Sequence, residues 1–130
     1  MSKKVTKGDQ FVNKANLGKV TDDFIKFYYN NWMTNVNALF AHPMWKNYTF
    51  INVEGSKLTP QQTIQYHKGF EKCHFQMGGY QFVPDGSRRV DIMAKGKMTK
   101  GGITKTLVQT FALIEVKGSF YLKSTQIYFI

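Results

Sequence analysis

Apolar residues between positions 22 and 40 recur at the three- and four-residue spacing of one helix face. Thr21 and Asp22 stand just before them, where a side-chain oxygen can cap the first turn and a carboxylate suits the helix dipole. The pattern therefore predicts one helix that starts at these two residues and continues to about residue 40. Its apolar face is predicted to contain Phe24, Phe27, Tyr28, Met33, Val36 and either Leu39 or Phe40.

Residues 43–73 carry two shorter patterns. Alternation through Tyr48, Phe50 and Ile51, followed by the turn residues "EG", predicts a pair of short strands. Beyond that pair, Thr59 offers a helix cap and Pro60 occupies the first helical position, which suits its fixed φ angle. A short second helix is predicted to begin there.

From His74 onwards the spacing changes from helical to alternating. Four such segments are separated by the turn signals "PDGS", "KGG" and "KGS", so four strands joined by three hairpins are predicted. Helices followed by a long antiparallel sheet indicate an α+β domain with the helices packed on one sheet face. We expect a single domain over residues 16–130, preceded by a mobile basic tail at residues 1–15.

Alternation also assigns side chains to the two faces of the sheet. If Ile92 and Ala94 point toward the helices, Met93 points away from them. Strict alternation along the last strand places Ile127 and Phe129 on the exposed face, where apolar residues usually mark a protein interface. The alternative is that a helix or the tail covers them. The predicted dimer interface consists of Met93, Gln109, Gln126, Ile127 and Phe129.

Composition narrows the class of partner. A chain of 130 residues fits one hydrophobic core, and its net charge of +10 favours an acidic partner such as nucleic acid or an acidic protein face. Cys73 is the only cysteine, which excludes an internal disulfide. The start of the chain lacks the apolar run of a signal peptide, and no segment approaches the ~20 apolar residues of a membrane span. We therefore expect a soluble intracellular protein without a membrane partner.

Basic residues concentrate around the stretch "KGKMTKGGITKT". Along one hairpin they would form a stripe that follows a phosphate backbone, with an affinity that falls as salt rises. No base-reading motif accompanies them, so such an RNA contact would be sequence-tolerant. The alternative is a charged sheet edge that prevents aggregation. The candidate contacts for RNA or an acidic partner are Arg88, Arg89, Lys95, Lys97, Lys100 and Lys105.

Six segments in order give the chain a family resemblance: "FIKFYYNNW", "VEG", "QQTI", "YQFVPDG", "LVQTFAL" and "STQIYF". Together they span about residues 21–129 and resemble the nuclear transport factor 2-like family. The resemblance implies a cone in which a curved antiparallel sheet wraps three helices. It also implies dimerisation through the open sheet face, with a second copy or with a related domain of a larger protein.

Two transport branches of that family imply different partners. Carriers of the GDP form of the GTPase Ran present carboxylates at the cone mouth, and Glu54 matches one of them. Lys100, Gly101 and Gly102 stand where the others are expected, and Leu17 stands near the place of a tryptophan that binds pore repeats. Lys100 would face the cationic switch region that Ran docks at this place. Because like charges across an interface repel, the lysine disfavours binding of Ran.

The other branch is the small subunit of the mRNA export receptor. The resemblance implies that it pairs through its sheet with a related domain of the large subunit and reaches nuclear pore proteins through that complex. We therefore predict a noncatalytic adaptor of the nucleus, the cytoplasm and the nuclear pore. A Ran-GDP carrier homodimer remains the alternative, and whether the chain pairs with itself or with another subunit stays open.

An enzyme is the second alternative, because relatives with this cone include isomerases and dehydratases. They place an Asp, or an Asp and a His, inside the cone as acid and base. The candidates here are Asp91, His67 and His74, with Tyr28 or Tyr48 as hydroxyl donors. Asp91 falls on the predicted outer face and neither histidine is paired with a carboxylate. No cluster of Cys or His residues has the spacing of metal ligands, and no glycine-rich phosphate-binding loop is present. No catalytic residue, metal or cofactor is therefore predicted.

Overall fold

The computed structural model describes residues 11–12, 17–46, 50–86 and 88–130. Strand β1 is Phe11–Val12, and it pairs with Phe120 and Ser119 of the last strand. These two residues belong to the segment predicted as a mobile tail. The remainder of that segment lies outside the described residues.

The helical half of the chain contains α1 (Leu17–Thr34), α2 (Val36–Ala41), a 3₁₀ turn (Pro43–Trp45) and α3 (Pro60–Lys68). The prediction of one helix starting at Thr21 is wrong at both ends. Helix α1 starts earlier, with Thr21 buried inside it. It stops at Thr34 because the Asn35 side chain accepts the Ala38 N–H at 3.1 Å and caps a new helix.

The start of α3 is confirmed. Thr59 Oγ1 accepts the N–H of Gln62 at 3.1 Å, and Gln62 Oε1 accepts the N–H of Thr59 at 3.0 Å. This reciprocal capping box holds Pro60 at the first helical position, where its missing N–H costs nothing. Local sequence alone therefore determines where α3 begins.

The described residues form one sheet in which the order is β3-β2-β7-β6-β5-β4, with β1 beside β7. The predicted meander of the last four strands is confirmed, but the sheet is not wholly antiparallel, because β2 runs parallel to β7. The strands are β2 (Phe50–Val53), β3 (Ser56–Leu58), β4 (His74–Pro84), β5 (Arg89–Lys100), β6 (Ile103–Val116) and β7 (Ser119–Phe129).

A glycine in β5, which has no side chain, lets the sheet pack closely on α1. Gly96 is buried in β5, and a Cβ atom there would lie 2.5 Å from the ring of Phe75. The ring therefore crosses β5 at Gly96 and stacks on Tyr29 of α1, with centroids 4.3 Å apart and planes at 12°. A register shift between Met77 and Gly79 bends β4 at the same level.

Helix α1 fills the concave side of the curved sheet. Phe24, Tyr28 and Trp32 are fully buried, and the first two meet the ring of Phe111 on β6 edge-on at 5.0 Å. Large aromatic residues of one helix thus supply much of the core. The predicted α+β class, with helices on one face of the sheet, is confirmed. The opposite, convex face carries no helix among the described residues.

Candidate partner-binding site

Strand β5 alternates as predicted. Ile92 and Ala94 are buried against the helices, whereas 54% of Met93 is exposed on the convex face. Met93 lies opposite Gln81 of β4 and Thr110 of β6. Residues opposed in a ladder project to the same face, so these two polar side chains flank the methionine.

The prediction that Ile127 and Phe129 lie on the exposed face is wrong. Ile127 is 0% exposed. The ring of Phe129 stacks on Phe70, just beyond α3, at 5.7 Å. Leu122 pairs with Leu113 but Ser124 pairs with Ala112, so β7 has an extra residue at Lys123. This bulge shifts the inward positions by one residue, and strict alternation fails beyond it.

Gln109 is also a core residue, so its prediction as a polar interface partner is wrong. Its side chain is fully buried and accepts the Tyr29 hydroxyl at 2.8 Å. Its amide nitrogen donates to the Tyr28 hydroxyl at 3.0 Å and to Thr125 Oγ1 at 2.9 Å. A buried amide is retained in a core when its polar atoms find partners in this way.

What remains exposed on the convex face is mostly apolar or uncharged. Val83 and Tyr128 are 63% and 39% exposed, and the Tyr128 hydroxyl donates to Gln126 Oε1 at 2.9 Å. Two adjoining grooves of about 670 and 370 Å³ both include Met93 and Gln81 in their walls. We call this surface the convex face and define it by Gln81, Val83, Met93, Lys95, Lys97, Thr110, Gln126 and Tyr128.

The candidate basic residues do not form one continuous stripe, because they lie on different faces and at different ends of β5, and their contact with RNA or an acidic partner stays a prediction. Lys95 and Lys97 line the larger convex groove. Lys100 and Lys105 lie on the concave side, because Lys105 is opposite the buried Met98. Arg88 and Arg89 lie at the other end of β5, roughly 35 Å from Lys100 along the strand. There they pair with Glu115 at 3.5 Å and Asp91 at 3.0 Å, respectively.

Glu54 has a structural contact. It lies in the turn between β2 and β3 with a φ angle of +52°, and its Oε1 accepts the N–H of Phe129 at 2.7 Å. Its own N–H donates to the carbonyl of Ile127 at 3.0 Å. The residue therefore holds the β2–β3 turn against the end of β7. Its correspondence to a Ran-contacting carboxylate stays a prediction.

The cone interior contains a hydrogen-bonded network centred on His67. Its Nδ1 lies 2.8 Å from the carbonyl of Thr63, which can only accept, so Nδ1 carries the proton. Its Nε2 therefore accepts the Tyr28 hydroxyl at 2.6 Å. Complete burial lowers the pKa of His67 to about 4, which keeps the ring neutral at pH 7. We call Tyr28, Tyr29, His67, Gln109 and Thr125 the buried network.

Of the acid–base candidates, His67 and Tyr28 come together in this network, but neither Asp91 nor His74 joins them. Asp91 lies on the convex side with Arg89, and His74 is exposed at the start of β4. Tyr48 lies outside the described residues. Burial raises the pKa of Tyr28 well above its usual value, so its hydroxyl stays protonated. Within the described ranges no group of three or more His, Cys, Asp or Glu residues could hold a metal ion.

No protein-family model and no curated protein sequence matches the chain. Solved structures do. The yeast Ubp3-associated protein Bre5 superposes with a TM-score of 0.71 and 18% identity, over 88% of this chain and 97% of that one. A nuclear transport factor 2-like protein from Cytophaga hutchinsonii gives 0.69 and 11%, over 88% and 99%. The chain has the nuclear transport factor 2-like fold.

Other proteins with this fold have different assigned roles. A candidate ketosteroid isomerase from Parabacteroides distasonis superposes with a TM-score of 0.70 and 12% identity, over 94% of this chain and 96% of that one. Bre5 has also been solved in a complex with the deubiquitinase Ubp3. At these identities the likeness establishes the fold and leaves function to the site itself.

No helix in the described part of the chain is long and apolar enough to span a membrane.

Local sequence could not reveal the buried network inside the nuclear transport factor 2-like cone. The Tyr28–His67 and Tyr28–Gln109 contacts join residues 39 and 81 positions apart. Neither histidine spacing nor strand alternation indicates such a contact. The signal that was available is weak: Gln109 is a polar side chain within the mostly apolar segment "LVQTFAL".

Gln109→Leu should destabilise the fold by about 2 kcal/mol, because the Tyr29 hydroxyl would be buried without an acceptor. Tyr29→Phe removes the hydroxyl that Gln109→Leu leaves without an acceptor. The loss in free energy of unfolding caused by Tyr29→Phe should therefore be smaller in the Gln109→Leu protein than in the wild-type protein, by about 1 kcal/mol or more. Urea unfolding of the four proteins in this cycle measures the difference. Additive effects would show that the two groups do not interact.

Proposed function

We propose that this chain is a noncatalytic adaptor that pairs through its convex face with a second domain of the same fold. The observation that carries the proposal is the exposure of Met93 at the centre of a sheet face of mostly uncharged side chains. Interface centres favour methionine and aromatic residues and avoid charge. The other face is occupied by the protein's own helices.

The polar groups around Met93 suit contact with another protein. Gln81, Thr110 and Gln126 each carry both a hydrogen-bond donor and an acceptor. Such groups can satisfy one another across two packed sheets without burying a charge. The Bre5–Ubp3 complex supports partner binding by a domain of this fold.

Charge favours a different subunit over a second copy. Each chain has a net charge of +10, and Lys95 and Lys97 line the same groove as Met93. A symmetric dimer would bring these lysines together, whereas a less basic domain would not. We therefore propose pairing with the related domain of a large mRNA export receptor subunit, in support of mRNA export through the nuclear pore.

Met93→Glu should weaken this pairing by at least about tenfold, since it replaces the apolar side chain at the interface centre by a carboxylate that pairing must desolvate. The test is coexpression with that large-subunit domain, followed by measurement of complex mass and dissociation constant. Ile103→Glu is the matched control, because Ile103 is 64% exposed but lies at the β5–β6 turn. An unchanged complex with Met93→Glu, or failure of the wild-type chain to pair, would refute the proposal.

A further inference from the structure

A second groove lies at the open end of the cone, on the opposite side of the sheet from Met93. Its volume is about 250 Å³. Its walls come from Phe70, two residues beyond α3, from the β5–β6 hairpin and from the end of β7. We call it the mouth groove, and it is lined by Phe70, Met98, Lys100, Ile103, Lys105 and Phe129.

The walls of the mouth groove are apolar. The rings of Phe129 and Phe70 stack with planes at 16°, and the buried Met98 lies at their side. Ile103 stands at the rim, 64% exposed. The tight turn before it holds Gly101 and Gly102 at φ angles of +60° and +80°, which glycine adopts readily. An exposed isoleucine beside an aromatic wall is a surface that an apolar side chain can cover.

The rim of the groove is basic. The Lys100 ammonium lies 4.7 Å from the centroid of the Phe70 ring. Neither Lys100 nor Lys105 forms an ion pair with any described residue. The carboxylates of Glu54 and Glu71 accept backbone N–H groups, from Phe129 and Val36 respectively, and neither pairs with these lysines. Without a carboxylate partner among the described residues, the two ammonium groups can pair with an acidic segment.

We propose that the mouth groove binds an acidic peptide segment by one aromatic or aliphatic anchor. The anchor packs against Phe129 and Ile103, and carboxylates of the segment pair with Lys100 and Lys105. A groove of about 250 Å³ is smaller than the ~300–1,000 Å³ of small-molecule sites and suits a single side chain. A stacked nucleobase fits less well, because the Phe70 ring already contacts Phe129 and Lys100. This site does not depend on pairing through the convex face.

The direct test uses a fluorescein-labelled peptide in which one phenylalanine is flanked by aspartates on both sides. Two matched peptides replace the phenylalanine by alanine or the aspartates by asparagines. Fluorescence anisotropy with the full chain should show saturable binding of the first peptide. Each matched peptide should bind at least about tenfold more weakly, because anchor and charge both contribute. Absence of binding, or equal binding of all three peptides, would overturn the proposal.

Variants locate the binding on the molecule. Lys100→Glu combined with Lys105→Glu should weaken the phenylalanine peptide at least about tenfold, and Ile103→Glu should do the same. Lys95→Glu combined with Lys97→Glu makes the same charge change in the convex groove and should cost less than about twofold. Equal losses from this second double variant would show nonspecific attraction and refute the site.

Two further measurements distinguish peptide binding in the mouth groove from domain pairing and from nucleic-acid binding. Met93→Glu should leave peptide binding unchanged even though it weakens domain pairing, so the two proposals can fail independently. A labelled oligouridine is the second probe. If it binds the wild-type chain more tightly than the peptide and loses binding in the Lys100→Glu, Lys105→Glu variant, the groove is a nucleic-acid site and the peptide proposal is wrong.

Discussion

Ile127→Glu is expected to unfold the chain rather than to separate it from a partner. Ile127 is fully buried among the core residues beneath the sheet, next in sequence to the exposed Tyr128. The substitution removes apolar contacts and buries a carboxyl group without a partner, which together cost roughly 5 kcal/mol or more. Since domains are stable by about 5–15 kcal/mol, a chain toward the lower end of that range would be mostly unfolded.

The matched control is Gln126→Glu, one position earlier and on the convex face. It keeps the side-chain volume and leaves the carboxylate in reach of water, so the free energy of unfolding should change by less than about 1 kcal/mol. Circular dichroism during urea unfolding measures both variants. A fully folded, monomeric Ile127→Glu protein would mean that β7 has the register of strict alternation, without a bulge at Lys123.

Acidification should destabilise the protein through His67. Burial lowers the pKa of its ring from 6.5 to about 4, so between these values the unfolded chain binds a proton that the folded chain does not. Stability from this group is therefore complete above pH 6.5 and is lost as the pH falls toward 4. At pH 4.5 the loss amounts to about 2.5 kcal/mol, from ~1.4 kcal/mol per pKa unit.

The experiment compares the free energy of unfolding at pH 7 and pH 4.5 in wild-type protein and in His67→Gln. The variant should be less stable at pH 7 because it disturbs the buried network, but its further loss on acidification should be smaller by about 2 kcal/mol. His74→Gln, at an exposed position, is the matched control for loss of a histidine outside the buried network. Equal acid sensitivity of wild type and His67→Gln would show that His67 is not held neutral.

The two proposed binding surfaces lie on opposite sides of one sheet. Met93 projects from the convex side, whereas Lys105 is opposite the inward-pointing Met98. A partner domain on the first surface would therefore leave the mouth groove accessible. An adaptor with this arrangement can hold a folded domain and a short acidic segment at the same time, and single substitutions on each side separate the two activities.

Local sequence predicted those features that depend on local chemistry. The cap and proline at Thr59 and Pro60 mark the start of α3 because their hydrogen bonds are made within one turn. The turn residues between β4 and β7 mark three hairpins in the same way. Alternation placed Met93 on the convex face correctly, because β5 pairs with β6 in unbroken register.

Only the tertiary structure decided which face Ile127 and Phe129 occupy and that Gln109 is buried. At Lys123 the strand β7 has one residue more than β6, which produces the bulge. The sequence of β7 by itself does not specify its register with β6. Gln109 became a core residue because Tyr28 and Tyr29, about 80 positions away along the chain, supply its hydrogen bonds. Alternation is a property of one backbone, whereas register and polar partners are set by the elements packed against it.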